Sequence, residues 1–274
     1  MRILFLSRDF AGMGSATYRQ LLRSLEDGNE LQLRGWVVKP GELESWTGKP
    51  QAAEIMSDEH LLNGRFDALI FEGGLSVQGA YPRVPLDTLE RFVRDGGQVM
   101  ICGEDVSTAR GDRDLLTQIA RWTLIMPDYD EAGHPRTQYD KGARDPHMGF
   151  SSFFPSEMAL EGWAKEVAST VERIVAEGPI KLIVQSGDWI ATGNTSTKIM
   201  EADIFVEEGV RHPWAGVQQV GLGHIGIIGA DVTHDLVVEE NPDNAKWLLT
   251  LLTRMKRHTD ESKQWREGSP ASGS

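Results

Sequence analysis

The sequence predicts a three-layer α/β fold, a mostly parallel central sheet with helices on both faces. Three observations carry the prediction. Short unbroken apolar runs of strand length recur at 3–6 (ILFL, within the strand 2–7), 68–71 (ALIF) and 99–102 (VMIC), the pattern of strands buried on both faces. Residues 66–105 place two of these runs around an amphipathic helix, with short connections that force a right-handed parallel crossover. After residue 186 the texture changes to short apolar runs broken by turn residues, as antiparallel strands added to one edge would produce.

The first run opens the chain and is followed by the turn 8–15 (RDFAGMGS), which carries Asp9. Ser15 is placed to cap a helix bearing Tyr18, Leu21, Leu22 and Leu25. A G-x-G turn at a helix start can cradle an anion, but Asp9 repels one, so the turn reads first as strand-to-helix geometry. A second strand is expected over 31–38, ended by Pro40-Gly41, and then a polar connection with a short helix near 52–62. The strand at 68–71 closes on Glu72-Gly73-Gly74, and the loop 75–84 lies over its end. Pro85 opens the next helix, with Leu86, Leu89, Phe92 and Val93 on one stripe, and Gly96-Gly97 closes it.

The run 99–102 ends on Cys102, the only cysteine, followed by Gly103, Glu104 and Asp105. A helix over about 113–123 turns Leu115, Leu116, Ile119 and Trp122 inward. Residues 127–155 read as an irregular insertion rich in Asp, Gly, Pro and aromatic residues. Its His134, His147, Asp140 and Asp145 lack the spacing that fixes a metal, so no metal is expected. A long helix is expected from 156 until Gly178-Pro179 stops it, with Leu160, Trp163, Val167, Val171, Ile174 and Val175 at helical spacing. A buried strand follows at 180–184, a β extension at 186–220, and a last core strand at 221–230 in which His224 reads as a satisfied core histidine. A final helix over 242–255 buries Ala245, Leu248, Leu249, Leu252 and Met255, and the polar stretch 259–274 reads as a disordered tail. Residues 1–258 therefore read as one domain.

The formal charge of -13 and the absence of clustered Lys and Arg argue against nucleic acid as a partner. A single cysteine excludes an internal disulfide and a thiolate zinc cage, and suits a reducing cytoplasm. Neither a signal peptide nor an apolar run long enough to span a bilayer is visible, so no membrane partner is expected.

Three stretches, FDALIFEGG, LERFVRDGGQVMICGED and GLGHIGIIGADVTHD with NPDNAKWLLTLL, resemble the class I glutamine amidotransferase-like superfamily, and the last is similar to its trehalose-utilisation-like branch. The resemblance implies a flavodoxin-like three-layer sandwich, its mostly parallel sheet carrying an antiparallel edge extension. Ligands in such sheets bind beyond the carboxyl ends of the strands. Asp9, Glu72, Gly73, Gly74, Gly103 and Glu104 are the expected ligand-binding residues there. The resemblance also implies a nucleophile at Cys102, with His234 as base and Asp231 or Asp235 to orient it. The chain departs from the family pattern, with Met100 and Glu104 where the elbow has glycines and Asp235-Leu236 after His234. Glu104 and Asp105 would oppose a thiolate.

The leading expectation is a non-glutaminase member that binds a small polar ligand or a partner protein at the strand-end crevice, without a cofactor. The alternative is a cysteine-dependent hydrolase or amidotransferase using Cys102 and His234. The opening MRILFLSRDFAGMGSATYRQLL also resembles the start of a sugar-nucleotide glycosyltransferase, but no second nucleotide-binding half follows. The resemblance further implies pairing into a homodimer.

Overall fold

A computed structural model describes residues 1–7, 32–37, 66–72, 86–102, 119, 121–127, 131, 150–155, 174–177, 182–185, 188–193, 212–229, 232 and 243–268. Their strands are β1 (Arg2–Ser7), β2 (Gln32–Val37), β3 (Ala68–Glu72), β4 (Gln98–Cys102), β5 (Ile125–Pro127), β6 (Phe150–Pro155), β7 (Ile174–Glu177), β8 (Leu182–Val184), β9 (Asp188–Gly193), β10 (His212–Val220) and β11 (Gly223–Ile228). Two helices, α1 (Leu86–Arg94) and α2 (Asp243–Gly268), pack against them. The main sheet has the order β2-β1-β3-β4-β11-β10-β9-β6-β7. Its first five strands are parallel neighbours, and the remaining four alternate in direction. The predicted α/β architecture is therefore present: a parallel half carrying an antiparallel extension on one edge.

Strand alternation divides the core into two layers. Val99 and Ile101 of β4 and Ile225 and Ile227 of β11 join Leu89, Phe92 and Val93 of α1 in one cluster, with Leu4, Leu69 and Phe71 beside them. Met100 and Cys102, pointing the other way, belong to the layer covered by α2, whose Trp247, Leu248, Leu251, Leu252 and Met255 are all buried. Trp247 and Leu251 extend the inward stripe that the sequence placed at Leu248, Leu252 and Met255.

Helix α1 ends where a left-handed residue is required. Gly96 has φ 107°, and the amides of Gly96 and Gly97 close onto Val93 O at 2.9 Å and Phe92 O at 2.8 Å, a Schellman-type stop. The β10–β11 turn completes it, since Leu222 N donates to Arg94 O at 2.9 Å. The approach is so close that a Cβ on Gly223 would overlap the carbonyl oxygens of Val93 and Gly97.

Four elements differ from the sequence expectation. Residues 174–177, expected as the end of a long helix, form β7 against β6, which itself lies inside the expected irregular insertion. The β-branched Ile174 and Val175 suit either element, and the β6 partner far away in sequence decides. The expected core strand at 180–184 pairs as β8 with β5 in a separate two-stranded sheet. Finally, α2 continues to Gly268 through the stretch expected to be disordered. Lys256 pairs with Asp260, and Arg257 with Glu261 at 2.9 Å, i,i+4 pairs that support a helix with little apolar content. Residues 194–211 of the expected β extension and the helices expected after β1 and near 52–62 lie outside the described residues. Among the described residues no helix is long and apolar enough to cross a membrane.

Candidate functional site

The carboxyl edge of the parallel half is where the sequence places a site, and the topology sets β1, β3, β4 and β11 side by side there. The register aligns Glu72 with Cys102 and Cys102 with Ile228, so the last residues of three adjacent strands lie level. Cys102 is fully buried, with 0% of its surface exposed, on the α2 side of the sheet. A thiol in that position ends a packed strand and is covered by a helix.

Helix α2 runs antiparallel to β4 and β11, because Thr259 near its carboxyl half bonds the residues that start those strands. Trp247, twelve residues earlier and so about 18 Å back along the helix, lies toward the strand ends. It is fully buried, and among the described residues its indole N–H has no acceptor. A buried donor left without an acceptor costs about 1–3 kcal/mol. Of the residues predicted for this site, Asp9, Gly73, Gly74, Gly103, Glu104, Asp231, His234 and Asp235 lie outside the described residues. Glu72 is described through its backbone and Cys102 through its side chain.

A second polar assembly sits at the opposite, amino edge. Gln98 begins β4, His224 lies at the start of β11, and the two are register partners. Both are buried. Gln98 Nε2 donates to Gly96 O at 2.8 Å and to Thr259 Oγ1 at 2.9 Å, which uses both amide hydrogens and turns Oε1 toward His224 Nδ1, 3.1 Å away. Since Oε1 only accepts, Nδ1 carries the proton. A neutral His224 then has its lone pair on Nε2, and His258 Nδ1, 3.0 Å from it, must be the donor. Thr259 Oγ1 donates to Leu222 O at 2.8 Å. Burial, and after it the charge of His258, lowers the His224 pKa from 6.5 to about 3. His224 is thus the satisfied core histidine that the sequence implied, and its partner comes from α2.

His258 also lines a groove of about 400 Å³ with Gln219, Glu261, Ser262, Trp265 and Arg266. Trp265 is 74% exposed. Sequence reasoning missed every α2 member of this groove, because the expected helix stopped at 255 and 259–274 read as a tail. The one available signal was His224, a histidine inside a glycine-rich strand that required a buried partner. Among the described residues no three His, Cys, Asp or Glu side chains gather to hold a metal ion.

No protein-family model matches the chain, and no curated protein matches it in sequence. Solved structures do share its fold. A cytoplasmic protein from Salmonella typhimurium LT2 is 14% identical, with a TM-score of 0.56 over 93% of this chain and 100% of its own. A second cytoplasmic protein from Salmonella typhimurium is 10% identical, with a TM-score of 0.58 over 93% of this chain and 99% of its own. A protein from Parabacteroides merdae described as ThuA-like is 10% identical over 85% of this chain and 84% of its own; at a TM-score of 0.47 it supports no conclusion.

Proposed function

We propose that this chain is a non-glutaminase member of the amidotransferase-like superfamily that binds a small polar ligand or a partner protein at the carboxyl ends of β1, β3, β4 and β11. The observation that carries this reading is the complete burial of Cys102 beneath α2. A catalytic thiol must meet its substrate and ionise, and burial in apolar surroundings opposes both. The alignment of Glu72 with Cys102 supports a polar crevice at these strand ends. Glu72, Gly73, Gly74, Gly103, Glu104 and Asp9 are the residues assigned to the lining. A cytoplasmic location accompanies this reading, supported by the single cysteine and by the description of the two similar Salmonella proteins. A homodimeric state remains part of the proposal.

The second reading, a hydrolase with Cys102 as nucleophile, His234 as base and Asp231 or Asp235 as orienter, is favoured by one feature. Cys102 is the last residue of β4, at the strand end where the family places its nucleophile. Thiol labelling with a chromogenic disulfide at neutral pH separates the two. The binding reading expects Cys102 to label only on unfolding, whereas rapid labelling of the folded protein would overturn it in favour of the hydrolase. A thermal-shift screen of small carboxylic acids, amines and polyols then tests the crevice. Any hit should be lost in the Glu72→Gln/Glu104→Gln double variant, and retention of binding would refute the placement.

A further inference from the structure

Helix α2 is attached to the sheet by two kinds of contact, divided near Met255. Up to that residue the anchor is apolar: Trp247, Leu248, Leu251, Leu252 and Met255 are all buried, and none of them titrates. From Lys256 to Glu267, Thr259 is the only buried residue, and the buried attachment is polar. Thr259 Oγ1 donates to Leu222 O at 2.8 Å and accepts from Gln98 Nε2 at 2.9 Å, while His258 Nδ1 donates to His224 Nε2 at 3.0 Å. A helical segment of about a dozen residues is marginal in water without tertiary contacts, so this half of α2 draws its order from its attachment.

The contact between the two histidines works only while Nε2 of His224 is bare. His224 Nδ1 already carries a proton toward Gln98 Oε1 at 3.1 Å, so a second proton goes to Nε2 and points at the N–H of His258. Two donors then face each other at 3.0 Å and must separate. His224 lies on β11, held between β4 and β10, so the element that moves is α2. Burial, and after it the charge of His258, holds the His224 pKa at about 3, and detachment of α2 returns it toward its ordinary value. Around the pair, α1 ends on Arg94, bonded to Glu90 at 2.8 Å, and is followed by Asp95. Asp67 precedes β3 and accepts from Arg2 N at 2.6 Å, and β10 contributes the neutral Gln219. Helix α2 itself carries Glu261, paired with Arg257 at 2.9 Å, Lys263 beside Gly96, and Arg266.

We propose that residues 256–268 form an acid-released latch: a proton on His224 expels His258 and frees the carboxyl-terminal half of α2 from the amino edge of the sheet, while the apolar half stays docked. No residue assigned to the strand-end crevice takes part. Detachment becomes about tenfold easier for each pH unit below 6.5, or about 25-fold between pH 7 and pH 5. Hydrogen exchange of the full chain, read by mass spectrometry and corrected for the intrinsic effect of pH on exchange, measures it. The 256–268 amides should be less protected than those of 247–255 at both pH values, and should lose about 25-fold in protection from pH 7 to pH 5. In dilute urea the halves should part: exchange in 247–255 accelerates, as global unfolding requires, and exchange in 256–268 stays nearly flat, as a small local opening requires. His224→Gln should remove the pH dependence of 256–268. His258→Gln, which keeps a side-chain N–H for His224, should retain it, because His224 is the group that titrates. Equal protection and equal urea dependence along the whole of α2 would overturn the proposal, as would protection of 256–268 that is level from pH 7 to pH 5. So would a pH dependence that survives in His224→Gln. Circular dichroism checks that both variants fold, and the comparison of the two halves in the wild type decides the matter without them.

Discussion

Acidification should loosen this protein through His224 before most carboxylates titrate. The imidazole is 1% exposed and neutral in the folded chain, with its pKa lowered to about 3 from 6.5, chiefly by burial. Between those two values the unfolded chain binds a proton at His224 that the folded chain does not, so stability falls as pH falls across that window and is fully present above it. Each pH unit inside the window is worth about 1.4 kcal/mol. Going from pH 7 to pH 5 crosses about one and a half units below 6.5 and should cost about 2 kcal/mol from this residue. The contribution of the other histidines is removed by comparison with His224→Gln, whose side-chain oxygen can still accept from His258 Nδ1. Urea unfolding of both proteins between pH 7 and pH 5 measures the difference. The wild type should lose about 2 kcal/mol relative to the variant over that range. A gap between the two that stays constant with pH would refute the neutral, buried assignment and the proton placement derived from it.

Two further substitutions test the packing around the same edge. Gly223→Ala forces a methyl into the carbonyl oxygens of Val93 and Gly97, which are backbone and yield little; a loss of about 1–3 kcal/mol is expected in thermal unfolding, and an unchanged midpoint would contradict the close approach. Thr259→Val keeps the volume but leaves Leu222 O and one Gln98 N–H unpaired in a buried setting; the expected loss is about 1–3 kcal/mol, with hydrogen exchange accelerating first along the carboxyl-terminal half of α2.

The centre of the parallel half was legible because β4 and β11, and residues 68–71 of β3, are buried. A strand covered on both faces is dominated by apolar residues, and the runs ALIF, VMIC and IGII announce that burial without help from any other segment. Likewise α1 carries its stop signal locally, in Gly96 and Gly97. Where pairing partners are distant the sequence was ambiguous. Ile174 and Val175 fit a helical stripe as well as a strand, and β6, more than twenty residues earlier, settles the choice.

By itself, then, the amino-acid order determined the alternation of strand and helix around β3, α1 and β4, the antiparallel extension, and the identity of His224 as an interior group that had to find partners. Only the tertiary structure decided which partners those are. The stretch after Met255 is too polar for its hydropathy to predict order, yet Thr259 and His258 lie one helical stripe beyond Trp247, Leu251 and Met255 and are carried down onto Gln98 and His224. The physical reason is that a hydrogen-bond network between residues 98, 224 and 258 has no local signature: its members are polar, separated by more than thirty residues, and become complementary only when the sheet and α2 bring them within 3.1 Å.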